Sequence, residues 1–340
     1  MSYKRWCVVW LLVPGTALLL YLTYNPVGRK WGNQEEPTYP FVRETNNDNK
    51  TGVEDSIEGE PDMYHVAYPR KYKFIIDQPH ICEEKKPFVV VIVPVPPENI
   101  EGRDAIRNTW GGEKPFADKV VLVLFLLGSR SGTGKEALQE QLNNESKHYK
   151  DLLQSNFQDS YRNLTIKTMV MMEWLSEKCS QASYAVKVDT DVLLNIRNLI
   201  NMLANPDTLK SNYMTGLVWY ESPVLRDPSN KFYMPYNVFS KDHYPPYPLG
   251  MCYIFSTDLP LKFLQQSRQI KPIYIEDAYL GMCLERLGIV PTKPPNMDQF
   301  VVIPPKQYNR CYYATLIAVM TESTDQLVTY WTDINLRTAC

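Results

Sequence analysis

Residues 184–194 read Tyr-Ala-Val-Lys-Val-Asp-Thr-Asp-Val-Leu-Leu. Tyr184 to Val188 has the pattern of a short buried strand, and two carboxylates, Asp189 and Asp191, follow where it ends. Working outward, two similar apolar runs come earlier, Pro87 to Val93 and Val120 to Leu127. They lack the alternation of a half-exposed strand, and unbroken β-branched runs suit strands covered on both faces. Between the runs lie helical stretches, Lys135 to about Tyr149 and a long amphipathic one from Leu164 to Cys179. Strands alternating with helices predict an α/β fold with a mixed, mostly parallel sheet. Ligands bind such sheets beyond the carboxyl ends of the strands. Chemistry is therefore expected just after Val93, Leu127 and Val188.

Asp189 and Asp191 fit that expectation. Two carboxylates two residues apart can share a hard divalent cation, Mg²⁺ or Mn²⁺, which keeps positions open for substrate phosphates. The plainer alternative is a capped turn. A second acidic pair, Glu276-Asp277, stands between the apolar Ile273 to Ile275 and a helical pattern that ends at Leu287-Gly288. Acidic side chains favour helix starts because of the macrodipole; the functional alternative is a carboxylate base held there. The loop Gly128-Ser129-Arg130-Ser131-Gly132-Thr133-Gly134-Lys135 imitates a phosphate loop. Ser129 stands where that pattern needs Gly, and Glu136 where it needs Ser or Thr, so a plain loop is expected.

The chain has 340 residues, 44% of them hydrophobic and 22% charged, a composition that excludes whole-chain disorder. Its formal charge of −2 lacks the basic excess of a general nucleic-acid binder, and no nucleic-acid partner is expected. The four histidines are scattered and no HExxH or CxxC occurs, which argues against a zinc site.

Trp6 to Tyr24 is uncharged over nineteen residues, with Lys4 and Arg5 before it and aromatics at both ends. That length approaches the ~20 residues that cross a bilayer. It exceeds the usual hydrophobic region of a cleaved signal peptide, and Tyr-Leu-Thr-Tyr-Asn-Pro at 21–26 is a poor cleavage site. The expectation is a cytoplasmic tail at 1–5 and a signal-anchor transmembrane helix at 6–24. Residues 33 to 63 hold nine acidic side chains against Arg43 and Lys50 and have almost nothing to bury. A solvated stem is therefore expected over 25–81, and a lumenal catalytic domain over 82–340. Beyond the anchor, six cysteines and three N-glycosylation sequons, at Asn49, Asn144 and Asn163, agree with a secretory address. Six cysteines allow fifteen pairings, and spacing does not choose among them.

Taken together, several blocks resemble one family. Arg103-Asp104-Ala105-Ile106-Arg107-Asn108-Thr109-Trp110-Gly111 is similar to the RxxIRxTWG block of the β1,3-glycosyltransferases, which include galactosyl- and N-acetylglucosaminyltransferases. Phe125 to Gly128 matches their FLLG, and Glu145-Ser146 through Thr168 their ES…DFxDxYxNLTxKT segment. Lys187-Val188-Asp189-Thr190-Asp191 matches K-x-DxD, Tyr244 to Tyr247 with Gly250 to Tyr253 matches YPPY…GxGY, and Glu276 to Gly281 matches EDVYxG. The blocks keep the family's order across about 82 to 340.

The resemblance implies a single-pass type II Golgi membrane protein with a GT-A-like, Rossmann-type fold. It implies inverting transfer from a UDP-sugar to the 3-hydroxyl of an acceptor glycan on protein or lipid. Asp191 would bind Mn²⁺, Asp189 would lie beside the ribose and the metal-bound water, and Asp277 would be the general base. Arg107 and Lys187 fall in blocks near the donor pocket. The surroundings of Arg226, Lys231 to Tyr233 and Tyr244 to Tyr247 look more like the galactosyl branch, which favours UDP-galactose. UDP-N-acetylglucosamine transfer and a catalytically weak glycan-binding homologue remain the alternatives. Family positions pair Cys82 with Cys179, and Cys252 with Cys283 and Cys311 with Cys340 are expected in turn. Two departures stand out. Cys252 replaces the last glycine of GxGY, where it could crowd the acceptor side. Met320 replaces a histidine that helps hold the metal, and a thioether is a poor ligand for Mn²⁺.

Overall fold

A computed structural model describes residues 64–112 and 115–336. Ten strands follow in chain order: β1 (Phe74–Ile76), β2 (Val89–Pro94), β3 (Val121–Ser129), β4 (Leu152–Gln158), β5 (Tyr184–Val188), β6 (Val192–Leu194), β7 (Met214–Trp219), β8 (Tyr247–Ser256), β9 (Phe300–Val301) and β10 (Ala318–Met320). Seven of them form one sheet in the order β1-β4-β3-β2-β5-β8-β7, and β6-β10-β9 form a small second sheet. The helices are α1 (Ile81–Lys85), α2 (Ile100–Arg107), α3 (Lys135–Tyr149), α4 (Leu164–Lys178), α5 (Ile196–Ala204), α6 (Leu259–Ser267), α7 (Glu276–Leu287), α8 (Arg310–Thr315) and α9 (Thr324–Ile334). The expected α/β architecture is present: β4, β3, β2 and β5 pair in parallel, and β1, β8 and β7 extend the sheet antiparallel.

The parallel core explains the apolar runs. Val89 to Val93 of β2 are wholly buried, because β2 is flanked on both sides and covered on both faces. The chain lays down β2, β3 and β4 in one direction, then returns to the other side of β2 for β5. The carboxyl ends of β2 and β5 thus flank the point where the strand order reverses, the usual place for a ligand crevice. Asp189 and Asp191 are set there by the end of β5.

Three expectations change. The stem, 25–81, overlaps the folded body: Val66 is buried, and β1 adds antiparallel to β4 with Phe74 opposite Ser155. Trp174 also reaches back from α4 to donate to Asp77 Oδ1 at 2.8 Å. A short apolar strand in a polar stretch gains stability only once β4 offers an edge, so composition alone hides it. The tail, the anchor and the first part of the stem lie outside the described residues. Second, α4 is not a half-exposed amphipathic helix; Thr165 to Met172 are all buried. It is sandwiched between the sheet and α6 and α7, so both its faces are covered.

Third, the cysteines divide. Cys82 and Cys179 form the expected disulfide, which ties α1 to the end of α4. Cys252 and Cys283 are not bonded to each other. Cys252 on β8 lies near Lys187 and Asp189, whereas Cys283 on α7 faces Tyr68 and Tyr279. Burial pushes both thiols up to about 12, so they remain protonated. The proposed partner of Cys311, Cys340, lies outside the described residues. Replacing Cys82 with Ala should lower unfolding free energy by ~2–5 kcal/mol, because the bridge closes a separation of 97 residues. Urea unfolding of the variant beside wild type checks this, and an unchanged midpoint would show that the bridge contributes nothing.

Candidate active site

Strand β5 carries the site's framework. Its Lys187 stands opposite Ile92 of β2 and opposite Tyr253 of β8. An ammonium buried in a sheet must be paired. Lys187 Nζ lies 2.7 Å from Asp189 Oδ1 and 3.2 Å from Glu276 Oε1, and it donates to the Gly250 carbonyl. Burial alone would drive its proton off, but Asp189 and Glu276 outweigh burial and hold Lys187 firmly protonated. One cation thus joins β5, β8 and the start of α7.

The turn after β5 is fixed by its backbone. Asp189 N–H donates to Met251 O at 2.9 Å, and Val192 N–H returns to Asp189 O. Asp191 O accepts both the N–H and the hydroxyl of Thr321, at 2.7 and 2.9 Å. Its carboxyl group lies within the field of Asp189, Lys187 and Lys231. Burial, reinforced by the nearby Asp189 charge, raises that group to about 6. Lys231 supplies an opposing charge from the β7–β8 connection.

Asp277 enters from the first turn of α7. Its Oδ2 accepts the Gly250 N–H at 2.8 Å and its Oδ1 accepts the Ala278 N–H at 2.8 Å. Burial raises its pKa, and the two N–H groups offset only part of that rise. Glu276 beside it is no exposed helix-dipole residue, as the sequence alone allowed. It is buried, bonded by Tyr253 OH at 3.0 Å and by Lys187. Burial is also what lifts its pKa to about 7, against the pull of Lys187.

Gly250 is where these parts meet. A Cβ built there would stand 2.9 Å from Glu276 Oε1 and 3.2 Å from Asp277 Oδ2. The glycine is needed for close approach. Gly250→Ala should cost about 1–3 kcal/mol through forced displacement, and it should move Asp277 and lower turnover more than donor binding. Thermal melting and steady-state kinetics together test this; a variant with wild-type kcat would show that the contact yields without consequence.

The structure therefore brings Asp189, Asp191, Lys187 and Asp277 into one network, with Glu276, Gly250, Tyr253 and Lys231 around them. Arg107 is not gathered with them. Its guanidinium binds Asp104, Glu145 and Asp151 and packs on Phe125 and Tyr149. Arg103 grips Glu145 bidentately at 2.7 and 2.6 Å. The two arginines lock α2 onto α3, and Trp110 Nε1 donates to Val192 O of β6 at 3.1 Å. Cys252 is fully buried opposite Val188. Met320 on β10 pairs with Val192, one residue past Asp191.

The buried role of Glu276 escaped the sequence, and Lys231 was marked there only by its likeness to the galactosyl branch, not as a neighbour of the acidic turn. Lys231 lies in a loop whose course follows no periodicity. Glu276 looked like any acidic residue at a helix start. Lys167 escaped as well: it is buried, with its Nζ 2.7 Å from Asp159 Oδ2 and 3.0 Å from Val95 O, and it braces the loop after β2. In the sequence it shows as a lysine inside an apolar helical run and as the lysine of the family-like block ending at Thr168, without its buried role.

A family model described as galactosyltransferase matches residues 101–295. Beta-1,3-galactosyltransferase 2 of Pongo abelii is 36% identical over 299 residues, covering 85% of this chain and 70% of its own length. Beta-1,3-galactosyltransferase 1 of Mus musculus is 34% identical over 268 residues, covering 78% of this chain and 80% of its own. The solved galactosyltransferase LgtC, in complex with donor and acceptor sugar analogs, aligns at a TM-score of 0.34 and 11% identity over 73% of this chain and 97% of its own, too distant a likeness to bear on the site.

Proposed function

The chain belongs to the galactosyltransferase family and is a glycosyltransferase of the β1,3-galactosyltransferase type, and we propose that it moves galactose from UDP-galactose to the 3-hydroxyl of an acceptor glycan on protein or lipid with inversion. The observation that carries the mechanism is the Lys187–Gly250 junction, which joins the Asp189–Asp191 turn to Asp277.

Asp277 takes the proton of the acceptor hydroxyl. As it does so, the hydroxyl oxygen bonds to the sugar's anomeric carbon, and the bond from that carbon to the UDP oxygen breaks. Inversion requires attack from the face opposite the nucleotide, so base and leaving group belong on opposite sides of the sugar. In this reading the turn at the end of β5 serves the diphosphate and Asp277 at the start of α7 serves the acceptor. Lys187, saturated by Asp189, Glu276 and Gly250, positions both sides and leaves Asp277 to act.

Among the described residues no group of three or more His, Cys, Asp or Glu side chains is placed to hold a metal ion. The donors on offer for Mn²⁺ are Asp191 and Asp189. Burial first, and the Asp189 charge second, disfavour the ionised Asp191 carboxylate, and a bound cation would offset both. Two carboxylates suit a hard ion whose other positions go to water and diphosphate. The chemistry such an ion supplies when bound is neutralisation of the charge on the departing diphosphate. Met320→His would add a good ligand beside Asp191, so the Mn²⁺ concentration for half-maximal transfer should fall severalfold. An unchanged Mn²⁺ dependence would place position 320 outside the coordination shell.

Residues 6–24 support a single-pass anchor in the Golgi membrane with the catalytic part lumenal. The test of the whole is a screen of UDP-sugars against β-linked acceptors, with linkage analysis of the product. Transfer of galactose in β1,3 linkage supports it. Preference for N-acetylglucosamine, or UDP binding without any transfer, overturns it.

A further inference from the structure

Beside the junction lies a cleft of about 310 Å³. Its walls come from four separated segments: Tyr64, Tyr161-Arg162, the loop from Pro228 through Lys231 to Tyr233, and Tyr274. The Tyr64 ring meets that of Tyr233 edge-on at 5.6 Å and lies tilted 5.9 Å from Tyr274. Tyr274 donates to the carbonyls of Lys231 and Tyr233, which fixes the loop against the segment before α7.

Two features describe the ligand. The first is aromatic walls with polar edges, which suit the apolar C–H face and hydroxyl rim of a sugar ring. The second is charge. Arg162 lies over Tyr64 at 5.2 Å and Lys231 over Tyr161 at 5.9 Å. The volume is at the lower end of the roughly 300–1,000 Å³ typical of small-ligand sites, room for one saccharide unit. Its position is equally informative. Tyr274 stands three residues before Asp277, and Lys231 lies within the field of Asp189 and Asp191.

The geometry points to a second acceptor subsite, in which Arg162, Lys231 and the tyrosine walls bind the saccharide unit next to the one being galactosylated and select for an anionic substituent on it. The inference rests on the transferase function proposed above and adds a substrate class to it. The anion could be a carboxylate of an acidic sugar or a sulfate ester, and both present oxygens to the same cations.

The experiment uses the full-length chain and a set of disaccharide glycosides that share one terminal acceptor sugar. The second unit is neutral, sulfated or carboxylated. Both kcat/KM for transfer and direct binding by saturation-transfer NMR are measured. Wild type should favour an acidic second unit by about tenfold, the scale of one charge-assisted hydrogen bond. The sulfated and carboxylated arms show which anion is preferred. Arg162 is exposed on a short 3-10 helix, so charge reversal there spares the core. Arg162→Glu should abolish the preference, Arg162→Lys should restore part of it, and Tyr64→Leu should weaken neutral and acidic disaccharides alike. Equal use of all three acceptors, or a preference that survives Arg162→Glu, overturns the subsite. So does a rise in the KM for UDP-galactose with acceptor choice unchanged, because the cations would then serve the nucleotide. A binding preference without transfer on any acceptor would sustain the subsite and count against the transferase function instead.

Discussion

Asp277→Asn should leave UDP-galactose binding nearly intact while transfer falls by ~10²–10⁴-fold, the usual contribution of a general base. The amide keeps the carboxylate's shape but does not accept the acceptor's proton at neutral pH. The structure adds a complication to the simple isostere. Both Asp277 oxygens accept backbone N–H groups, from Gly250 and Ala278. Asparagine has only one acceptor oxygen, so one N–H would face an amide N–H₂ and lose its partner, at a cost of about 1–3 kcal/mol. A melting curve must accompany the kinetics. A modest loss of stability with a large loss of kcat supports the base; near wild-type turnover at saturating acceptor places it elsewhere. The pH profile supplies an independent check. A base works deprotonated, and burial raises the Asp277 pKa. The acid limb of kcat/KM should therefore lie above the ordinary Asp value of about 3.9, with activity lost as pH falls through it, and Asp277→Asn should erase that limb.

Asp191→Ala should remove cation-dependent donor binding, with kcat/KM lowered at least ~10²-fold, the scale of one lost electrostatic contact to a developing charge. The fold should survive, because the turn is held by main-chain atoms: Thr321 bonds the Asp191 carbonyl, and Asp189 N–H bonds Met251. Deleting the carboxyl group also removes a buried acid that like charge from Asp189 disfavours. Stability at neutral pH should not fall and can rise slightly. Titrating UDP-galactose with and without EDTA separates the possibilities. Should donor affinity and its EDTA sensitivity both persist, the Asp-Thr-Asp turn is structural.

Much of this protein was legible before any coordinates. Val89 to Val93, Val121 to Leu127 and Tyr184 to Val188 read as buried strands, because short runs dominated by apolar residues and lacking helical period suit a sheet covered by helices. Their alternation with helices determined the α/β class, and the carboxyl end of Tyr184 to Val188 located Asp189 and Asp191. Those are local properties, set by side-chain shape and by periodicity along one segment. What the tertiary structure decided were matters of partnership between distant segments. Phe74–Ile76 became a strand because β4 had an open edge. Arg107 lies in a block expected near the donor, but three carboxylates from α2, α3 and the start of β4 surround it. Cys252 and Cys283 stayed apart because β8 and α7 turn them toward different neighbours. Lys187, Gly250 and Glu276 became the junction of the site because an ammonium buried in a sheet must find its counter-charges wherever the fold supplies them. No single segment encodes that requirement, since the low dielectric that imposes it exists only once the chain has closed around the group.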